Sequence, residues 1–166
     1  MFRHWKIILP VVVLVAIVSV GIAVWSGWFS LSGQQAQSPS AQGALPLPSR
    51  EEETALVNRT MGDFARALTQ KDFAGFYGNI SAIWQRQTTP EKIAQAFAGF
   101  MPFGREVQKS ITSGLPTFNA QPSIDEKNIL TLQGFYRIEA TKMLFNLKYA
   151  REGDAWKLLG MDLSVK

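Results

Sequence analysis

Cysteine is absent from this chain, and histidine occurs once, at His4. Without thiols there can be no disulfide, no thiolate metal site and no cysteine nucleophile. His4 stands outside any stretch with the pattern of a folded domain, so imidazole acid-base and metal chemistry have no ligand set either. Charge is scarce as well. Asp, Glu, Lys and Arg make up 18% of the residues against 46% apolar ones, where soluble proteins carry roughly 25% charged residues. That balance favours burial in a core or a bilayer over disorder. The 166 residues leave room for one ordinary domain plus a targeting or anchoring segment, and exclude two full-sized modules.

The formal charge of +4 is not spread evenly. Arg3, Lys6 and Arg50 account for three of the 17 basic residues, and the 13 acidic ones all lie after Arg50. The remainder of the chain is therefore close to neutral. Its charges are interspersed, as in Lys71-Asp72, Asp125-Glu126-Lys127 and Arg151-Glu152, which describes a solvated surface rather than a phosphate cradle, and no nucleic-acid partner is expected. No glycine-rich phosphate loop precedes a helix and no carboxylate-rich spacing marks a metal site. No cofactor or metal is expected.

What is abundant is grease near the start. From Ile7 to Trp25 the sequence IILPVVVLVAIVSVGIAVW runs without a charge, and as a helix it would match the ~30 Å hydrocarbon core of a bilayer. Pro10 falls in the first turn, where its missing N–H has no partner to lose. Arg3 and Lys6 precede the run and no positive charge follows until Arg50, an asymmetry that keeps the amino terminus in the cytoplasm and exports the rest. Trp5 before the run, and Trp25, Trp28 and Phe29 at and beyond its end, stand where aromatic rings anchor at the membrane interface. A cleaved signal peptide has a shorter apolar core ending in a small-x-small site. The length here favours a retained anchor. The expected partition is a cytoplasmic tail (1–6), a transmembrane helix (7–28), a flexible linker (29–49) and an exported domain (50–166), with the domain periplasmic or otherwise extracytoplasmic on the cytoplasmic membrane.

Ser30 to Arg50 mixes Ser, Gln, Gly, Ala and Pro without periodicity, the composition of a tether. Ser49-Arg50-Glu51-Glu52 then fits a capping box, and Val57, Met61, Phe64, Ala65 and Leu68 follow at the spacing of one helical face. Asp72 is positioned to cap a second helix bearing Phe73, Phe76, Tyr77, Ile80, Ile83 and Trp84, weakened by Gly75 and Gly78. Thr89-Pro90-Glu91 announces a third, with Ile93, Phe97, Phe100 and Met101 inward, ended by Pro102 and Gly104. Arg105 to Ile111 reads as a further turn of helix or the entry to a strand.

Past Gly114 the period shifts toward two, and Leu, Phe, Tyr, Ile and Thr accumulate. Strands are predicted at Pro116–Ile124, Ile129–Glu139, Lys142–Arg151 and Ala155–Val165. Their short connections demand antiparallel neighbours. Met143, Phe145, Leu147 and Tyr149 share one face of the third, with Leu144, Asn146 and Lys148 on the other. The expected fold class is α+β: a single transmembrane helix, then three helices packed on a curved four-stranded antiparallel sheet.

The stretch LTQKDFAGFYGNIS from Leu68 to Ser81, where one helix ends and a second opens with aromatics, and the closing AWKLLGMDLSV from Ala155 to Val165, with its Trp-Lys-Leu-x-Gly pattern, resemble the nuclear-transport-factor-like superfamily. That resemblance covers roughly Glu51 to Lys166. It implies a cystatin-like α+β cone whose sheet curls around the helices, leaving a cavity that holds an apolar ligand, supports acid-base side chains as in ketosteroid isomerase, or is filled by the protein's own aromatics. A short cytoplasmic tail, one span and a domain of this fold also look like the bitopic assembly factors of type IV secretion systems, which have longer domains and tails.

Isomerase chemistry needs a carboxylate base and a tyrosine or protonated acid converging on one enolate. Tyr77, Tyr136 and Tyr149 are the possible donors, and among the acids Asp63 and Asp162 adjoin apolar elements most closely. Trp84 either walls a pocket or extends the aromatic series of its helix into the core, the commoner outcome for aromatics at helical spacing. The candidate ligand-binding residues are thus Tyr77, Trp84, Tyr136, Asp63 and Asp162, with no catalytic set among them. The favoured reading is non-enzymatic: a membrane-anchored, exported interaction domain, a subunit or accessory of a cell-envelope complex. Its partners are the lipid bilayer and another envelope or membrane protein. The alternative is an exported small-ligand-binding or isomerase-like domain using the cone for an apolar small molecule. An empty pocket in which an acid faces Tyr136 would favour the alternative.

Overall fold

A computed structural model describes residues 45–138 and 141–166. The first helix, α1 (Arg50–Gln70), begins where its capping box dictates. Ser49 Oγ accepts the Glu52 N–H at 3.3 Å, and the Glu52 carboxylate accepts the Ser49 N–H at 2.7 Å. Three glutamates in the first turn add negative charge at the positive end of the helix dipole. The helix stops at Lys71, which turns left-handed at φ 57° and returns its N–H to the Ala67 carbonyl. Val57, Met61, Phe64, Ala65 and Leu68 are buried, joined on the same side by Glu53, Thr60 and Ala67.

The expected second helix divides in two. α2 (Ala74–Asn79) and α3 (Ala82–Gln85) are separated by Ile80 and Ser81 in extended conformation. Glycines at 75 and 78 weaken helix propagation, and the sheet supplies a competing set of bonds. Ile80 forms a parallel bridge to Leu158, and the Ser81 N–H donates to the Leu158 carbonyl at 2.8 Å. Ser81 Oγ then caps α3 by accepting the Trp84 N–H, and the Glu152 carboxylate accepts the Ala82 N–H at 2.8 Å. Asp72 lies one position ahead of the α2 cap and accepts the Ala74 N–H.

The expected third helix is divided into an α and a 3₁₀ part, and the stretch after it, read as a further turn of helix or the entry to a strand, is helical. α4 (Pro90–Ala96) starts at Thr89 with proline in its first turn, a 3₁₀ segment (Ala98–Phe103) accommodates Pro102, and α5 (Gly104–Ser113) resumes the α conformation. A β-carbon on Gly104 would come within 3.2 Å of the α1 backbone at Leu68 and Thr69. The absence of a side chain there lets α5 pack directly on α1.

The sheet is antiparallel, in the order β1-β3-β4-β5, with β1 (Thr117–Phe118), β3 (Ile129–Ile138), β4 (Thr141–Glu152) and β5 (Ala155–Val165); β2 (Ser123–Ile124) lies on the same side of β3 as β1. Phe118 stands opposite Gly134 while Ser123 stands opposite Thr131. Between these pairs the edge therefore has four residues where β3 has two, and the four include Pro122, which has no N–H for a ladder. On β5 an extra residue at Leu159 shifts the register between Lys148–Gly160 and Tyr149–Leu158. Without it, Leu158 and Met161 would face opposite sides of the sheet; with it, both are buried beside Leu163.

The expectation of three helices on four strands behind a membrane-spanning helix is corrected. Among the described residues there are five α-helices and a 3₁₀ segment, and five strands, because one predicted strand and two predicted helices are each broken and the stretch from Gly104 to Ser113 adds a further helix. No helix among the described residues is long and apolar enough to cross a membrane. The longest, α1, has the length but carries Arg50, Glu51, Glu52, Glu53, Arg59, Asp63 and Arg66. The segment 7–28, to which the span was assigned, lies outside the described residues, as do Trp5, Trp25, Trp28 and Phe29.

Between the helices and the sheet the interior is filled by side chains. Phe64 makes edge-to-face contacts with Phe73, Phe76, Phe97 and Phe100, with ring centroids 4.9–6.3 Å apart. Leu130, Leu132, Met143, Phe145, Leu147, Leu158, Met161 and Leu163 close the core from the sheet side. A second aromatic group joins Phe118, Phe145 and Tyr136, and the Arg50 guanidinium covers the Phe118 ring at 3.8 Å.

Candidate functional site

A cleft of about 120 Å³ lies where α1, the α2–α3 corner and the start of β5 meet. Four α1 residues at helical spacing, Leu56, Arg59, Thr60 and Asp63, form one wall. Phe76, Asn79 and Ile80 form a second, and Trp156, Lys157 and Leu158 a third, with Tyr149 beneath. The chain corner that brings Asn79 to Asp63 is held by the Ile80–Leu158 bridge.

Polar groups in the cleft are largely engaged with one another. The Asp63 carboxylate accepts Arg66 Nη1 on one oxygen at 3.0 Å and Asn79 Nδ2 on the other at 2.9 Å. Tyr149 and Thr60 hydroxyls lie 3.0 Å apart, and burial pushes the Tyr149 phenol well above its ordinary pKa, so it stays protonated. Arg151 stacks over the Trp156 ring at 5.5 Å. Among the described residues, neither Arg59 nor Lys157 makes an ion pair. The cleft thus offers two cationic side chains beside one aromatic ring. Also among the described residues, no three acidic or imidazole side chains converge as a metal site would require.

The five sequence-derived candidates are dispersed. Asp63 lines the cleft. Tyr136 is buried inside the sheet layer, where its hydroxyl donates to Asn58 Oδ1 at 2.6 Å and burial raises its pKa. Tyr77 donates to the Gln85 carbonyl at 3.1 Å while Gln85 Nε2 returns to the Tyr77 carbonyl, a reciprocal clasp across the α2–α3 corner. Trp84 packs edge-on against Phe76 at 6.5 Å. Asp162 lies on the opposite, exposed face of β5, within 3.5 Å of Asn146 Nδ2. Both interior tyrosines are therefore paired with a neutral amide or hydroxyl, and neither carboxylate shares a bond with a tyrosine.

Arg59, Asn79, Trp156 and Lys157 were not among the candidates. The sequence signals for this site are Asp63, a carboxylate among apolar neighbours, and Thr60, a polar residue at a position that α1 buries. The pairing that completes the site, between α1 and the start of β5, is made by tertiary contact alone. Compared with family models, curated proteins and solved structures, the chain matches none.

Proposed function

We propose that the chain is a binding domain of nuclear-transport-factor-like design, held at the cytoplasmic membrane through its apolar amino-terminal segment and displayed on the outer side as a subunit or accessory of an envelope complex. The observation that carries the reading is the occupied interior. Phe64 and its four aromatic neighbours fill the space a ligand would need, and the two interior tyrosines bond to Asn58 and Thr60 rather than to an acid. A domain with its centre filled acts through its surface. Confinement beside a bilayer raises its effective concentration toward other membrane components, so a modest interface suffices.

The test is crosslinking of the intact chain in its own membrane with identification of the captured neighbours, together with carboxyl-terminal reporter fusions. A recurrent envelope partner and an outside-active reporter are expected. A reporter active only in the cytoplasm would overturn the placement.

A second reading, an exported ligand-binding domain, is favoured by one feature: Arg59 and Lys157, without an ion pair among the described residues, beside Trp156 in the cleft. It predicts binding of an anionic, partly apolar small molecule that is lost in Arg59→Ala/Lys157→Ala. Titration with a fluorescent fatty acid decides it, and no saturable binding in the native chain removes this reading.

A further inference from the structure

β5 ends the strand order, and among the described residues its outer edge is bridged only at Leu158, by Ile80 and Ser81. From Leu159 to Val165 no strand among the described residues pairs with that edge. The bonds to β4 fix which backbone groups are spent. Lys142 and Lys166 exchange both N–H···O bonds, at 2.8 and 2.9 Å, so by the alternation of an antiparallel ladder Ser164 and Asp162 also turn inward to β4. The N–H and C=O groups of Met161, Leu163 and Val165 consequently point outward. The bulge at Leu159 lies at the start of this stretch; from Gly160 to Val165 no proline, lysine or further bulge blunts the edge, although such devices are what ordinarily keep an edge strand unpaired.

Its side chains are self-complementary. Leu163 faces the core side, as does Val165, which is 53% exposed. On the other face, Asp162 and Lys166 bracket Ser164 symmetrically, and neither makes an ion pair among the described residues. We propose that this edge pairs antiparallel with the same edge of a second copy of the chain, about a two-fold axis through Ser164.

In that register Asp162 stands opposite the partner's Lys166, and by symmetry Lys166 opposite the partner's Asp162. Leu163 and the partner's Val165 exchange both backbone bonds and cover the exposed valine. The interface is isologous and closes, leaving a sheet continuous across two chains. An axis through Asp162 would set two carboxylates face to face, which is destabilising. An axis through Leu163 would put Asp162 opposite serine and leave its charge without a directly opposed cation. The pairing does not depend on what else the domain binds.

The lack of cysteine makes the test clean. Ser164→Cys is introduced in the full chain, kept in detergent micelles and mildly oxidised, with the product read on a non-reducing gel. Across a non-hydrogen-bonded pair the Cα atoms lie about 4.5 Å apart, within disulfide range, so a covalent dimer is expected. Lys148→Cys, on the same face but inside the sheet, is the control and should stay monomeric. Adding Asp162→Lys to Ser164→Cys should slow the crosslink about tenfold or more, and adding Lys166→Asp as well should restore it, an outcome that a misfolded variant could not produce. Crosslinking at Ser164→Cys no faster than at Lys148→Cys, or failure of the double charge swap to recover it, overturns the proposal.

Discussion

The phenol of Tyr149 reaches from the middle of β4 to α1 and places its hydroxyl 3.0 Å from that of Thr60, with both residues buried. Each group satisfies the other where water is excluded. Removing one partner strands the other, which costs about 1–3 kcal/mol for a buried polar group. Tyr149→Phe and Thr60→Val are therefore each expected to destabilise the domain by an amount in that range. The double variant should lose less than the sum, because it leaves no orphan. Urea unfolding followed by circular dichroism measures all three; strict additivity would show that the bond contributes nothing.

The same burial predicts an alkaline limit. Desolvation raises the pKa of both Tyr136 and Tyr149 in the folded chain, whereas in the unfolded chain both ionise near pH 10. Above about pH 10 the unfolded state binds fewer protons than the folded one, so stability falls as pH rises. Below that pH their contribution is fully present. Tyr136→Phe should make the alkaline decline shallower without altering the neutral plateau by a comparable slope. An unchanged decline would mean that Tyr136 ionises freely in the fold.

At the other end of the pH scale the capping box is the sensitive element. Backbone and side-chain hydrogen bonds from Ser49 hold the Glu52 carboxyl below its ordinary pKa. A depressed folded value gives stability that is present above the unfolded pKa and is lost as pH falls through the folded one. Ser49→Ala should lower the melting temperature at neutral pH, as loss of a helix N-cap does. It should weaken the acid dependence only in part, since the residue-49 N–H that the Glu52 carboxylate accepts belongs to the backbone and is kept, while the hydroxyl's smaller contribution is lost. Melting curves from neutral to about pH 3 test both parts.

How much of this was legible in the sequence depends on whether a signal is local. The Ser49 capping box and the Val57–Leu68 stripe belong to one helix and were readable, as was the alternation that sends Met143, Phe145, Leu147 and Tyr149 inward on β4. The division of residues 73–85 was not, because the decisive bonds run from Ile80 and Ser81 to Leu158, far along the chain. Nor was the two-part edge strand, whose break at Pro122 is visible locally but whose register against β3 is not. The cleft was least legible of all. Asp63 was a candidate on account of its apolar neighbours, yet its partner Asn79 and the opposing Trp156 and Lys157 come from two other elements, and nothing in their own neighbourhoods marks them.

Gly134 offers a sharper packing test. A β-carbon there would lie 2.7 Å from Phe145 Cζ and 3.0 Å from Phe118 Cα, and would collide with the Thr117 carbonyl. Two of these three obstacles are backbone, which cannot rotate away. Gly134→Ala should therefore push β1 off β3 and destabilise the domain by roughly 1–3 kcal/mol, the usual range for overpacking. Amide exchange should quicken at Asn119, whose N–H donates to the Gln133 carbonyl at 3.2 Å. Slow exchange there in the variant would mean the strand pair tolerates the methyl group.

The filled interior is itself open to test at Phe64, which is fully buried and touches four aromatic rings. Truncation to alanine removes most of a ring from the point where α1 meets α2, α4 and the 3₁₀ segment, and such changes cost about 3–5 kcal/mol. Phe64→Leu keeps more of the volume and should cost markedly less, preserving a folded chain if alanine proves too severe. A cavity lined by phenylalanines is apolar and stays dry, so it should accept benzene or xenon, as engineered apolar cavities do. Binding of such probes is expected in Phe64→Ala and not in the native chain, and uptake by the native chain would show that its centre is open after all. That last result would shift the functional reading from the surface to the interior, because a cone with room in it has a place for a ligand, whereas one plugged by its own rings has only its outside to offer.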